Sequence, residues 1–219
     1  MRALIVEDDP ALAADLVAAF REAGFAVDGA ADGEEAAHMG ATAAYDVAIL
    51  DIGLPGRDGV AVLSAWRAAG AALPVLALTA RDAWADKARA FRAGADDYVT
   101  KPFFMPEVIL RARSLIRRAA GHASAGIVAG ALAHDPELGV FTLDAAPLRL
   151  TAFEARVLGY MIHHAGRVLS RTEISEHVYE DGVDRDFGSL EVVIRRLRGK
   201  IGAHRIETLR GRGYRLLAL

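Results

Sequence analysis

Three carboxylates, a hydroxyl and an amine stand at the ends of short apolar runs. Glu7 and Asp8 follow "ALIV", Asp51 follows "DVAIL", Thr79 closes "PVLALT" and Lys101 follows "DYVT". Acids gathered on one edge repel one another, and the usual remedy is a hard divalent cation on oxygen ligands, here Mg²⁺. Glu7 and Asp8 would hold it. A carboxylate beside Mg²⁺ and a lysine is a nucleophile toward a phosphoryl group, because both cations neutralise the transferring oxygens and leave an aspartyl phosphate. Asp51 is the candidate nucleophile. Lys101 would pair with one phosphoryl oxygen and Thr79 would donate its hydroxyl to another.

For these groups to meet, the runs carrying them must lie side by side. Five apolar stretches, "ALIV", "FAVDGA", "DVAIL", "PVLALT" and "DYVT", alternate with helical ones. That alternation implies a doubly wound α/β fold, a five-stranded parallel sheet with helices on both faces, whose ligands sit beyond the carboxyl ends of the strands. In the first helix Asp9 is placed to cap, Pro10 occupies the first turn, and Leu12, Leu16 and Phe20 share a face. "ADGEEAAHMG", "GVAVLSAWRAAG", "DAWADKARAFRAG" and "PEVILRARSLIRRAA" supply the other four helices. The strand from Asp46 ends on Asp51 because the sheet's open edge is where an acid can work.

After Arg118 the pattern lapses into "AAGHASAGIVAG", small residues without periodicity. The expected organisation is a first domain at 1–119, a linker at 120–126 and a second, α+β domain at 127–219. Strand-like pieces "GALAHD", "LGVFTL" and "PLRL" come first. Thr151 to Glu154 and Ser170 to Glu173 each fit a capping box, so helices should begin near Ala152 and Arg171. A third helix should run from Phe187 to Gly202. Gly211-Arg212-Gly213 reads as the tip of a closing β-hairpin.

The chain has 219 residues, 53% of them hydrophobic and 25% charged, which suffices for one large or two modest cores. Absence of cysteine excludes disulfides and thiolate metal sites. No apolar run approaches the roughly 18 residues of a membrane span, and no signal peptide precedes "ALIVEDD", so a cytoplasmic protein without a membrane partner is expected. The net charge of −3 is unevenly spread: residues 1–119 carry 13 bases and 17 acids, whereas 195–215 carry eight bases and one acid. Such a basic stretch suits a polyanion.

"LIVEDD", "ILDIGLPGRDG", "LALTAR" and "GADDYVTKPF" together resemble the receiver domain of two-component response regulators. "LTAFEARVLGYMIHHAGRVLSRTEISEHVY", "VVIRRLRGKI" and "IETLRGRGYRL" resemble the winged-helix effector of the OmpR/PhoB subfamily. The ordered set spans nearly the whole chain. The resemblance implies a phosphorylation-controlled transcriptional regulator and not an enzyme, with Asp51 taking a phosphoryl group from a sensor histidine kinase. It makes Glu7 and Asp8 the acidic pair, Thr79 the switch hydroxyl, Lys101 the phosphate-pairing amine and Tyr98 the switch aromatic. The backbone carbonyl of Gly53 completes the Mg²⁺ site. It also implies a symmetric homodimer through the fourth helix, fifth strand and fifth helix, with charge pairs Lys87 to Glu107 and Asp97 to Arg111. Arg92 departs from the pattern, because an acid is expected there opposite Arg118. Double-stranded promoter DNA is the implied target, and RNA polymerase is a further candidate partner.

In the helix from Phe187, Leu190, Val193, Ile194, Leu197 and Ile201 form a core-facing stripe. The opposite side presents Ser189, Val192, Arg195 and Arg196. Arg195 and Arg196 could bond guanine edges, and Val192 could touch a thymine methyl. Arg198 and Lys200 are placed for phosphates. Arg212 could enter a minor groove, with Arg210 or Arg215 near the backbone. Two other readings each lack a residue they need. An aspartate-nucleophile phosphatase needs a general acid two residues after its nucleophile, where this chain has Gly53. A nucleotide-binding module needs a glycine-rich loop where "VEDDPAL" stands.

Overall fold

The computed structural model describes residues 1–79, 84–121, 126–136, 139–179 and 187–219, with the side chains of all of these except 84–87 and 187–189. The chain divides into two compact units, Arg2–Ala119 and Ala120–Leu219.

In the first unit β1 (Arg2–Val6), β2 (Ala26–Ala30), β3 (Val47–Asp51), β4 (Val75–Thr79) and β5 (Asp97–Thr100) form one parallel sheet in the order β2-β1-β3-β4-β5. Every residue of β3 and β4 is buried, so both faces must be covered. α1 (Pro10–Glu22), α2 (Gly33–Thr42), α3 (Gly59–Ala68), α4 (Trp84–Ala93) and α5 (Met105–Ala119) cover them. Leu4, Val6, Ala48 and Leu50 pack on one face against Val62, Leu63, Trp66 and Ala90. The period of two sends Ala3, Ile5, Val47 and Ile49 to the other face, which α1 and α5 cover. Asp9 caps α1, its side chain accepting from the N–H groups of Ala11 and Leu12, with Pro10 at the first position.

Strand register positions the site. Val6 pairs with Leu50, Asp51 with Leu78, and Thr79 with Thr100. Glu7, Asp51, Thr79 and Lys101 therefore leave the sheet at nearly one level.

The second unit opens with β6 (Ile127–Ala129), β7 (Leu132–Asp135), β8 (Val140–Leu143) and β9 (Ala146–Pro147) in one antiparallel sheet. Then come α6 (Ala152–His163), α7 (Arg171–Val178), α8 (Phe187–Ile201), a 3-10 turn at Ala203–Arg205, and the hairpin β10 (Ile206–Leu209) and β11 (Gly213–Leu216). Three helices followed by a hairpin make a winged helix. Both capping boxes form, and α6 and α7 start at the residues the sequence predicts. Leu190, Val193, Ile194, Leu197 and Ile201 are all buried in one core.

Two strand assignments differ from expectation. β6 lies inside the stretch read as unpatterned, because three residues are too few to show a period, yet Ile127 and Ala129 are buried around an exposed Val128. "PLRL" is not a strand. β9 ends at Pro147, after a two-residue turn at Asp144 and Ala145 whose φ values of 51° and 63° are left-handed at both positions. The next residues run to the Thr151 cap, with Leu148 and Leu150 half-buried against the core.

Glu154 closes the α6 capping box while almost wholly buried, and Lys200 of α8 reaches it at 2.6 Å. Burial alone would push its carboxyl up, but the Lys200 ammonium and the Thr151 N–H outweigh burial and hold it below the ordinary 4.5. A depressed folded pKa contributes stability that is complete above the unfolded value and is lost as pH falls through the folded one. Glu154→Gln should therefore destabilise the second unit by about 1–3 kcal/mol at neutral pH. Thermal unfolding at pH 7 and at pH 3 checks this: the gap between variant and wild type should narrow at the acid end.

Candidate functional site

Lys101 Nζ donates to both Glu7 oxygens, at 2.9 and 2.7 Å, and to Asp51 Oδ2 at 2.6 Å. The other Asp51 oxygen accepts from the Gly53 N–H at 2.8 Å, so both ends of the carboxylate are fixed. Glu7 and Asp51 are buried and Asp8 is exposed, and one oxygen from each lies within 4.8 Å of the others. Thr79 is 1% exposed and its Oγ1 has no hydrogen-bond partner among the described residues. A buried hydroxyl in that state is ready for an oxygen ligand. Asp51, Gly53, Thr79 and Lys101 share the wall of a cleft of ≈ 430 Å³ with Asp58 and Arg89.

The charges follow from this geometry. Burial pushes the Glu7 carboxyl up and Asp51 adds to that, with the Lys101 bond offsetting part of it. Burial pulls the Lys101 ammonium down, but its bonds to Asp51 and Glu7 outweigh burial and hold it above its ordinary value. Lys101 therefore stays a cation between two acids. Three hard oxygen donors, two of them dry and one open to solvent, suit Mg²⁺ with some of its waters kept.

Tyr98 is half-buried, and its ring meets Phe91 edge-on at 5.5 Å. Arg111 bridges Glu107 at 2.8 Å and Asp97 at 2.9 Å inside the same chain. The side chain of Lys87 lies outside the described residues, and Arg92 and Arg118 are exposed.

On α8, Arg195 and Arg196 are exposed and Val192 is half-buried; the side chain of Ser189 lies outside the described residues. Arg198 and Lys200, expected at phosphates, are engaged within the unit. Arg198 donates to the Ile206 carbonyl at 2.6 Å and Thr208 Oγ1 at 2.7 Å, and Lys200 donates to the Arg149 carbonyl at 2.9 Å as well as to Glu154. Arg210 and Arg212 are exposed at the hairpin turn, while Arg215 pairs with Glu207 at 2.6 Å. Sequence reasoning overlooked Arg171, at the start of α7, which pairs with Glu191 of α8 at 2.6 Å and lies over the Tyr214 ring of β11. Its position in a capping box was the only hint.

Residues 3–113 match the response regulator receiver domain family, and residues 145–216 match the family described as transcriptional regulatory protein, C terminal. The chain is 38% identical over 218 residues to the two-component response regulator PhoP of Pseudomonas aeruginosa, covering 98% of this chain and 97% of that one. It is equally identical to the transcriptional regulatory protein PhoP of Escherichia coli K12, over 98% of each. The chain belongs to the OmpR/PhoB-type response regulators.

The regulator's first unit also resembles solved receivers. The Francisella response regulator 1452 receiver domain matches with a TM-score of 0.51 at 35% identity, over 53% of this chain and 97% of that one. The receiver domain of the sensor histidine kinase PA1611 from Pseudomonas aeruginosa, with a magnesium ion coordinated in its active-site cleft, matches at 0.50 and 32% identity, over 52% and 96%. The regulator is thus a DNA-binding transcriptional regulator controlled by phosphorylation, and its receiver implies a histidine kinase as phosphoryl source. Among the described residues no helix is long and apolar enough to cross a membrane.

Because burial and Asp51 both disfavour the charged form of Glu7, Glu7→Gln should raise the thermal midpoint of the metal-free receiver. Loss of an outer-shell partner already costs 10–100-fold, so if Glu7 is one of the oxygen donors, its loss should weaken Mg²⁺ binding at least about tenfold. Paired melting curves and a Mg²⁺ titration check both signs.

Proposed function

We propose that Asp51 is the phosphoacceptor of this regulator. The observation that carries the reading is the Lys101 ammonium fixed on Asp51 at a cleft also lined by Thr79, whose hydroxyl has no partner among the described residues. An Asp51 oxygen attacks phosphorus as the bond to the kinase's histidine nitrogen breaks. Lys101 exchanges a carboxylate oxygen for a phosphoryl oxygen and keeps its proton. Thr79 donates to a second phosphoryl oxygen. Glu7, Asp8, Asp51 and the Gly53 carbonyl would hold Mg²⁺, which supplies charge neutralisation on the phosphoryl oxygens. Without a side chain at Gly53 to protonate a leaving group, the protein does not turn over small substrates as an enzyme.

When Thr79 turns toward the phosphoryl group, Tyr98 gains room to leave its edge contact with Phe91, which repacks the surface formed by α4, β5 and α5. On that surface two copies would pair about a two-fold axis, Asp97 with Arg111 and Lys87 with Glu107, so each exchange of partners counts twice. Arg92 and Arg118 would not attract each other.

The dimer would set two α8 helices into successive major grooves of promoter DNA. Arg195 and Arg196 would read base edges, with Val192 and Ser189 beside them. Arg198 and Lys200 brace α8 against β10 and α6, and would contact phosphates from there. Arg212 would enter the minor groove, flanked by Arg210 and Arg215. Bound this way in the cytoplasm, the regulator could present its second unit to RNA polymerase.

Treating wild type and Asp51→Ala with acetyl phosphate and Mg²⁺ and weighing both tests the acceptor. Wild type should gain one phosphoryl mass and the variant none. Equal behaviour would move the acceptor elsewhere.

A further inference from the structure

Among the bases of α8 stands a single acid, Glu191. It comes four residues before Arg195, so both rise from one stripe of the helix, with Glu191 nearer its start. Arg171, the first residue of α7, donates from Nη2 to Glu191 Oε1 at 2.6 Å. Both side chains are open to solvent, at 47% and 54%, so the pair adds little to folding stability. Arg171 is nonetheless well placed, because its guanidinium lies over the Tyr214 ring, 5.9 Å from the centroid. Tyr214 exchanges two backbone bonds with Leu169, at 2.8 and 2.9 Å, just before the Ser170 cap from which α7 starts. The Glu191 carboxylate is thus steered by a donor seated on neighbouring elements. A carboxylate offers about four acceptor sites, and Arg171 takes one of them.

Base edges differ in what they offer a group that can only accept. In the major groove cytosine presents an amino donor at N4, guanine two acceptors, thymine an acceptor and a methyl, and adenine a donor beside an acceptor. A carboxylate is drawn to the first and repelled by the next two. We propose that Glu191 is a specificity residue of the DNA-reading helix that accepts from the N4 amino group of a cytosine, and that Arg171 is the positioning residue that aims it. This rests on α8 as the reading helix. Arg195 and Arg196 favour any polyanion by charge, whereas Glu191 selects largely by exclusion, since a guanine or thymine in that place sets an acceptor against an anion. The Arg171 guanidinium also offsets the charge that Glu191 brings toward the phosphates.

The test mixes the full chain with a randomised duplex DNA library and reads the base frequencies of bound molecules position by position. Wild type should enrich cytosine at one position of the bound site by about tenfold over guanine and thymine. Glu191→Ala should flatten that position and leave the others as they are. Glu191→Gln, which sets a donor beside an acceptor, should move the position toward adenine. Arg171→Gln should lower the cytosine enrichment without changing the preferred base, and Arg171→Lys should restore part of it. If Glu191 serves only to join α8 to α7, its variants would lower affinity for all sequences alike and leave every base frequency unchanged, which would overturn the proposal. A cytosine preference that survives Glu191→Ala but vanishes in Arg171→Gln would overturn it too. If α8 is not the reading helix, Arg196→Ala also leaves the base frequencies unchanged, which separates that failure from this one.

Discussion

The Lys101 ammonium lies between Glu7 and Asp51, and it can do so only because three strands end at one level. Two buried carboxylates that close would otherwise repel, with no water to screen them. The ammonium makes the pair tolerable, and the same contact orients Asp51 with one oxygen on Lys101 and the other on the Gly53 N–H. The dryness of β3 and β4 follows from this requirement. Strands buried on both faces hold register firmly, and a one-residue slip would turn Asp51 away from the cleft.

The basic stretch of the second unit divides by the same economy of partners. A cation near acceptors of its own unit binds them. Arg198, Lys200 and Arg215 are bound to carbonyls and acids of their own unit, whereas Arg195, Arg196, Arg210 and Arg212 face outward. Arg171 joins α7, α8 and β11.

Much of this was legible before any coordinates. Alternating apolar runs dictated the parallel sheet, and the two Ser/Thr-x-x-Glu boxes placed α6 and α7 to the residue. Glu7, Asp51, Thr79 and Lys101 could be grouped because strand-end residues in such a sheet share one edge. What stayed hidden depends on partners distant in sequence. Arg198 meets a carbonyl in β10 and Lys200 meets Glu154 of α6, contacts that no local pattern announces. Nor does helical spacing reveal that Arg89 reaches Asp58 across the cleft. β6 was missed because three residues show no period.

The account stands or falls on whether the phosphoryl group at the first unit governs DNA affinity at the second. Fluorescence anisotropy on a bound genomic fragment, followed in one sample as its phosphoryl mass decays, measures this directly. Affinity should fall in step with the lost phosphoryl mass. An affinity that stays constant while the mass decays would contradict the account.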